Sequence, residues 1–442
     1  MKIKLSDHFT YGRLLRFTLP SVLMMIFTSI YGVVDGFFIS NFVGKTPFAA
    51  INFIYPFLMI LGAFGFMFGT GGSALISKTM GEGDMPRANK LFSMLTLISA
   101  GVGIVVAMLG IVFIRPVASA LGAEGAMLDD CVLYGRIILA VLPAFMLQQE
   151  FQSFFVAAEK PQLGLFVTVA AGVTNMVLDA AFVAILGWGV PGAAAATALS
   201  QVVGGIIPVI YFSCKNTSLL RFVRPTFDGR ALLKTCTNGS SELMSNISMS
   251  LVGMLYNVQL MKYAGENGVA AYGVLMYVSM IFLAVFIGYS IGSAPIISYN
   301  YGSGNDAEMK SVLKKSLWII GISSVCMLGL GEVLAEPLSV IFVGYDEVLL
   351  SLTSRGFMIF SFSFLFCGMA IFGSGFFTAL NNGLISAAIS FLRTMVFQVA
   401  AILLLPLIWD VDGIWISIVV AELMAALTTV VFIVLERKKY RY

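Results

Sequence analysis

Apolar residues in this chain fall in long unbroken blocks, not in the alternation of strands or the narrow stripe of soluble helices. Blocks of spanning length occur at about 14–40, 51–77, 91–114, 131–157, 162–186, 190–213, 238–262, 269–297, 312–335, 351–379, 384–408 and 411–435. A bilayer core needs ~20 predominantly apolar residues per helix. The pattern therefore predicts an all-α polytopic membrane protein with twelve transmembrane helices. The longest polar interruption, Cys214–Lys234, carries Lys215, Arg221, Arg224, Arg230 and Lys234. It divides the chain into a six-helix bundle over 1–213, a linker over 214–234 and a second bundle over 235–442.

Basic residues orient these spans. Counting loops alternately, 20 of the 26 Lys and Arg lie on the side of the termini, among them Lys2, Lys4, Arg13, Arg16, the linker residues and Arg437–Lys439. The other side holds acids such as Asp129, Asp130, Asp346, Glu347, Asp410 and Asp412. By the positive-inside rule both termini and the linker are expected in the cytoplasm.

The two halves also resemble each other. Shifted by 221, Gly44–Asp84 lies over Gly265–Asn305 without a gap, and 11 of the 41 positions are identical. Gly81 and Gly83 fall on Gly302 and Gly304 in register. Six spans per half return the chain to its starting side, so the halves run parallel, related by an axis along the membrane normal. Such repeats mark transporters with the substrate path between the halves.

Composition agrees with a membrane protein and removes several function classes. Hydrophobic residues make up 59%, charged ones 11%, and the mean hydropathy is +0.95. The single histidine, His8, argues against a His-ligated metal, and the five cysteines form no C-x-x-C, which reads as small buried thiols. The turns at Gly81–Asp84 and Gly302–Asn305 lack the Lys-Ser/Thr of a phosphate loop. No enzyme, ATPase, cofactor or nucleic-acid partner is expected, so energy has to come from an ion gradient or a partner protein.

Charged groups inside spans are costly in lipid and default to functional hypotheses. Asn175 and Asp179, four residues apart, share one helix face. Asp35 is a lone acid in the first block.

Pro20, Val34-Asp35-Gly36-Phe37-Phe38-Ile39-Ser40, Gly81-Glu-Gly83-Asp84, Asn175-Met-Val-Leu-Asp179 and the run Pro191-Gly-Ala-Ala-Ala-Ala-Thr197-Ala-Leu-Ser200-Gln201 together resemble the multidrug and toxic compound extrusion (MATE) transporters, bacterial drug-exporting branch. The resemblance covers the whole chain. It implies a V-shaped pair of bundles in a bacterial inner membrane, acting as a monomer, that exports amphipathic organic cations against entering H⁺ or Na⁺. It places the family's ion-linked positions on Asp35, Asn175, Asp179 and Thr197.

Depth offers a check on that carry-over. Asp35, Asp179 and Thr197 each lie about six or seven residues from the far end of their spans, which at 1.5 Å per residue is ~9–11 Å below that surface. Two carboxylates, an amide carbonyl and a hydroxyl form an oxygen-only set that suits a hard cation or a shared proton. The competing reading is that these groups only tie spans together. Pro20, which lacks an N–H, is a candidate hinge in span one.

Other polar residues are candidates for the substrate path. Glu150 and Gln152 in the fourth block either line it or serve as structural partners. Met276, Tyr277 and Met280, with Phe151 and Phe154, would suit loose binding of flat cations. Tyr256 holds the repeat position of Asp35, and Ala401 roughly that of Asp179, so ion chemistry is expected in the first half. Glu242 resembles an acid that the sodium-linked and eukaryotic branches carry. Arg393 needs a partner that the sequence does not name. The rival reading is a flippase of lipid-linked saccharides from the same superfamily, whose phosphate-bearing cargo calls for a basic cavity.

Overall fold

The computed structural model of the chain describes residues 3–442; Lys2 lies outside the described residues. Among the described residues every regular element is helical. Span 1 is Tyr11–Phe38 with a π turn at Ile39–Val43, span 2 Lys45–Gly81 and span 3 Met85–Ala120. Span 5 is Pro161–Asp179 with a π turn at Ala180–Ile185, and span 6 Gly189–Ser213. Spans 9, 11 and 12 are Asp306–Val343, Gly383–Leu404 and Pro406–Tyr440.

Three of the apolar blocks fold less simply than their lengths suggest. Span 4 is two helices, Gly125–Ala140 and Leu142–Ala157, bent by 59°. Pro143 opens the second piece, and its missing N–H and ring break the ladder there. Span 10 is likewise Glu347–Ser361 and Phe364–Ala379, bent by 50° without a proline. Spans 7 and 8 run together as Gly229–Gly302, broken only at Gly265, where φ 64° and ψ −155° suit glycine alone. Counting each bent pair once and dividing at Gly265, the described chain crosses twelve times.

The irregular linker covers only 214–228. Asp228 accepts from the Ala231 N–H at 3.0 Å and so caps the start of span 7, which takes in 229–234. The linker lies on the end of span 3, where Arg221 N donates to Asn89 Oδ1 at 2.8 Å and Val223 N to Ser93 Oγ at 2.9 Å.

Glycine decides where the two bundles meet. A Cβ on Gly71 of span 2 would fall 2.1 Å from the Thr235 carbonyl and 2.7 Å from the Gly239 nitrogen, both on span 7. The offset of 221 maps this approach onto span 8 against span 1, and there a Cβ on Gly292 would sit 3.0 Å from Thr18. Closer to the termini the pairing is reciprocal. Gly81 faces the Tyr299 carbonyl and Gly302 faces that of Lys78, two contacts exchanged by the same shift. The seam thus has approximate two-fold symmetry along the membrane normal, as a parallel repeat requires.

Polar ties reinforce the seam on the terminal side. Asn238 Nδ2 donates to Asn381 Oδ1 at 2.7 Å, and Asn381 reaches Ala74 of the first bundle. The N-terminal segment straps both bundles: Leu5 N donates to Glu159 Oε1, and Phe9 N to Glu308 Oε1, each at 2.8 Å. Toward the other surface the packing loosens. Beyond the Ser29 hydroxyl, which donates to the Met280 carbonyl at 3.3 Å, Gly32, Gly36, Gly253 and Gly273 have open space where side chains would project. The close approaches between the bundles at glycine thus cluster toward the terminal side, where the bundles are closed, and thin out toward the opposite one.

Gly71→Leu should therefore wedge spans 2 and 7 apart, because backbone, not a flexible side chain, stands in the way. Overpacking of this kind costs ~1–3 kcal/mol. Spin labels at Lys90 and Lys310, both exposed on the terminal side, should report a separation longer by several ångströms than in the parent. An unchanged distance would show that the seam does not hold the closed side.

Candidate functional site

Asp35 and Asp179 of the first bundle lie where an α-helix gives way to a π turn. Ile39, which opens the turn in span 1, donates its N–H to the Asp35 carbonyl. Asp179 caps the turn in span 5. The two π turns pack on each other, and such wide turns recur at functional sites because they re-aim the residues around them. Gly172 lets spans 1 and 5 close one turn deeper: a Cβ there would fall 2.8 Å from the Tyr31 ring.

The four residues singled out by resemblance come together. Thr197 Oγ1, on span 6, donates to Asp35 Oδ1 at 3.5 Å, the long limit of a hydrogen bond. Asn175 and Asp179 lie within interaction range of the half-buried Asp35. Asp179 is 0% exposed and Asn175 2%. Yet neither makes a side-chain hydrogen bond of acceptable geometry: Asp179 Oδ1 and Oδ2 and Asn175 Oδ1 and Nδ2 are all unpartnered. Buried polar atoms are nearly always satisfied, and those that are not call for a water, an ion or a functional role. No group of three or more His, Cys, Asp or Glu is positioned to hold a metal among the described residues. The set brings two carboxylates, an amide and a hydroxyl together, an oxygen-rich donor set.

Tyrosines surround this site, and the sequence reading did not assemble them. Tyr31, Tyr55 and the fully buried Tyr134 of the first bundle are within electrostatic range of Asp35. So is Tyr277, which reaches across from span 8 of the second bundle. Tyr31 was findable, being four residues from Asp35 on the same helix face. Tyr134 carries no local signal.

The path candidates are distributed differently. Glu150 and Gln152 are 0% and 4% exposed, inside the first bundle and not on an open cleft wall. Both Glu150 oxygens and the Gln148, Gln149 and Gln152 carbonyl oxygens lack partners, so a second unsatisfied polar cluster lies in that bundle. Phe151 and Phe154 pack with Phe92 in the apolar core of the first bundle instead of facing a cleft. Tyr256 is buried within the second bundle, hydrogen-bonded to Ser417 Oγ at 2.9 Å and stacked on Tyr272. Met276 is half-buried, and Met280 and Tyr277 are exposed on the face of span 8 that meets span 1. Span 1 is continuous through Pro20.

The partner of Arg393 is Glu422 of span 12. Arg393 Nε donates to both carboxylate oxygens, at 3.0 and 2.8 Å, and the side chains are 16% and 5% exposed. Glu242 lies within range of the same guanidinium. Glu422 is legible in the sequence as the acid in the middle of the last apolar block, ten residues in from Asp412. Arg393 also sits in a π turn, Leu392–Phe397.

Residues 20–181 and 243–403 each match the MatE family, one stretch per bundle. The chain belongs to the MatE family. It is 28% identical over 366 residues to the multidrug export protein MepA of Staphylococcus haemolyticus (strain JCSC1435), covering 81% of this chain and 80% of that one. It is 25% identical to MepA of Staphylococcus saprophyticus subsp. saprophyticus over 96% of this chain and 94% of the relative. Its fold superposes with a TM-score of 0.93 on a multidrug resistance MATE family transporter of the MOP superfamily solved in an outward-facing conformation, at 21% identity and 98% and 97% coverage. The MatE assignment accounts for the repeat: the same unit is matched twice, once on each side of the linker.

Proposed function

We propose that this MatE chain is a secondary multidrug exporter that moves amphipathic organic cations outward in exchange for entering H⁺ or Na⁺. The observation that carries the proposal is the unpartnered, fully buried Asn175–Asp179 pair facing Asp35. Such groups are tolerable in lipid only if something cationic neutralises them for part of the cycle. Asp35, Asn175, Asp179 and Thr197 hold the coupling ion. Tyr277 brings the second bundle within range of the same charge, so the ion's presence alters how the bundles meet. The basic loops put both termini and the linker in the cytoplasm, which makes the side toward which the bundles part the exterior. The chain then divides into a first bundle through residue 213 and a second that begins with span 7.

The names of the MepA relatives support drug export as the class of activity. A phosphate-bearing cargo, the flippase alternative, finds little to bind it, since Arg393 in the second bundle is already neutralised by Glu422. The test is purified protein in liposomes with a fluorescent organic cation on the cytoplasmic face. Uphill movement should follow an imposed pH or Na⁺ gradient and stop when both are collapsed. Movement indifferent to both gradients removes the antiport reading.

A further inference from the structure

A groove of about 360 Å³ opens where span 1 lies against spans 8 and 9, well away from the cation site. Its walls are mainly apolar, with Leu19 and Val22 from the first bundle and Phe286, Ile319 and Ile320 from the second. Arg16 lines it on the side of the chain termini. Arg16 is exposed and has no ion pair or side-chain hydrogen bond among the described residues. The Lys315 ammonium lies near the same end of span 1, bonded to neutral oxygens only: the Phe9 carbonyl at 2.6 Å and Ser311 Oγ at 2.7 Å. The acid beside it, Glu308, already accepts from the Phe9 N–H and His8 Nδ1.

We propose that this groove is a binding site for an anionic phospholipid of the cytoplasmic leaflet, with its phosphate on Arg16 and Lys315 and an acyl chain between the bundles. Arg16 lines the groove and Lys315 lies four residues before its wall residue Ile319 on span 9; two such cations without a protein anion call for an external one, and guanidinium favours phosphate. An apolar trough below them takes the chain, at ~0.8 kcal/mol for each methylene buried. Because one wall belongs to each bundle, the site exists only while span 1 rests on spans 8 and 9. The lipid therefore binds the state closed at the terminal side and shifts the population toward it. The inference rests on the membrane topology proposed above but not on the transported cargo.

The experiment is native mass spectrometry of the purified full-length protein with equal amounts of phosphatidylglycerol and phosphatidylcholine of matched chains. One phosphatidylglycerol should be retained at least tenfold over phosphatidylcholine. Arg16→Gln with Lys315→Gln should abolish the preference, and Arg16→Lys should keep most of it. Ile319→Trp, which fills the trough and leaves the cations in place, should lower retention of both lipids. Equal retention of the two lipids by the parent protein overturns the proposal, as does a preference that survives the double substitution. Displacement of the bound lipid by an organic cation would instead make the groove part of the drug path and also overturn it. These outcomes are read without transport, so they stand apart from the fate of the antiport reading.

Discussion

Asp179→Asn should leave the protein folded and remove ion-coupled export. The side chain is fully buried and its oxygens have no protein partner, so an amide of the same shape loses no hydrogen bond and sheds a charge that is costly in lipid. What it takes away is one of two negative charges available to a cation. A unit charge ~4 Å away is worth on the order of 4 kcal/mol at the effective dielectric of such sites, or about three orders of magnitude in ion affinity. Asp35→Asn should act in the same direction, and the double variant should add little, because either loss already empties the site. Thr197→Val should be milder, since its contact with Asp35 is long at 3.5 Å. Initial export rates in liposomes, together with thermal unfolding of each variant, check these outcomes. Full coupled activity in both single variants would remove the cation-site assignment.

The second large effect belongs to stability. Arg393→Met leaves Glu422, 5% exposed, without its guanidinium. Breaking a buried pair from one side costs ~3–5 kcal/mol. The double variant Arg393→Met with Glu422→Leu removes both charges and should recover most of that loss, because the pair's attraction is largely offset by the desolvation of its members. Glu242, which also faces the guanidinium, should make the single variant worse, and Glu242→Gln added to Arg393→Met should relieve part of the loss. Unfolding monitored in detergent gives the comparison. A double variant as unstable as the single one would mean that the pair specifies packing around span 12 in a way that charge balance does not capture.

Much of the architecture could be read from the sequence because lipid imposes a simple rule. Every backbone group must be bonded within the span, so twelve apolar blocks became twelve crossings. The lone carboxylates were legible for the same reason: a charge in lipid stands out against its neighbours. The repeat-paired glycines at 81 and 302 flagged a shared turn, and the structure adds that each faces the other's helix end. What could not be read depends on three-dimensional neighbours. The bends in spans 4 and 10 hide inside uniformly apolar blocks. The π turns next to Asp35 and Asp179 have no composition of their own. Tyr256 looked like a path residue by its repeat position, but its hydroxyl is taken by Ser417 in the second bundle. Phe151 and Phe154 have the residue type of cleft aromatics, but Phe92 packs on both and Phe212 stacks on Phe151 inside the first bundle.

The central claim is that a cation held by Asp35, Asn175, Asp179 and Thr197 is exchanged for drug. The most direct test records the coupling ion itself: liposomes holding the protein and a pH- or Na⁺-sensitive dye, with an outward drug gradient and no imposed ion gradient. Drug leaving through the parent protein should draw H⁺ or Na⁺ the other way, above the baseline without drug, and Asp35→Asn should abolish that ion flux. Drug movement with no accompanying flux of either ion in the parent protein would contradict the account.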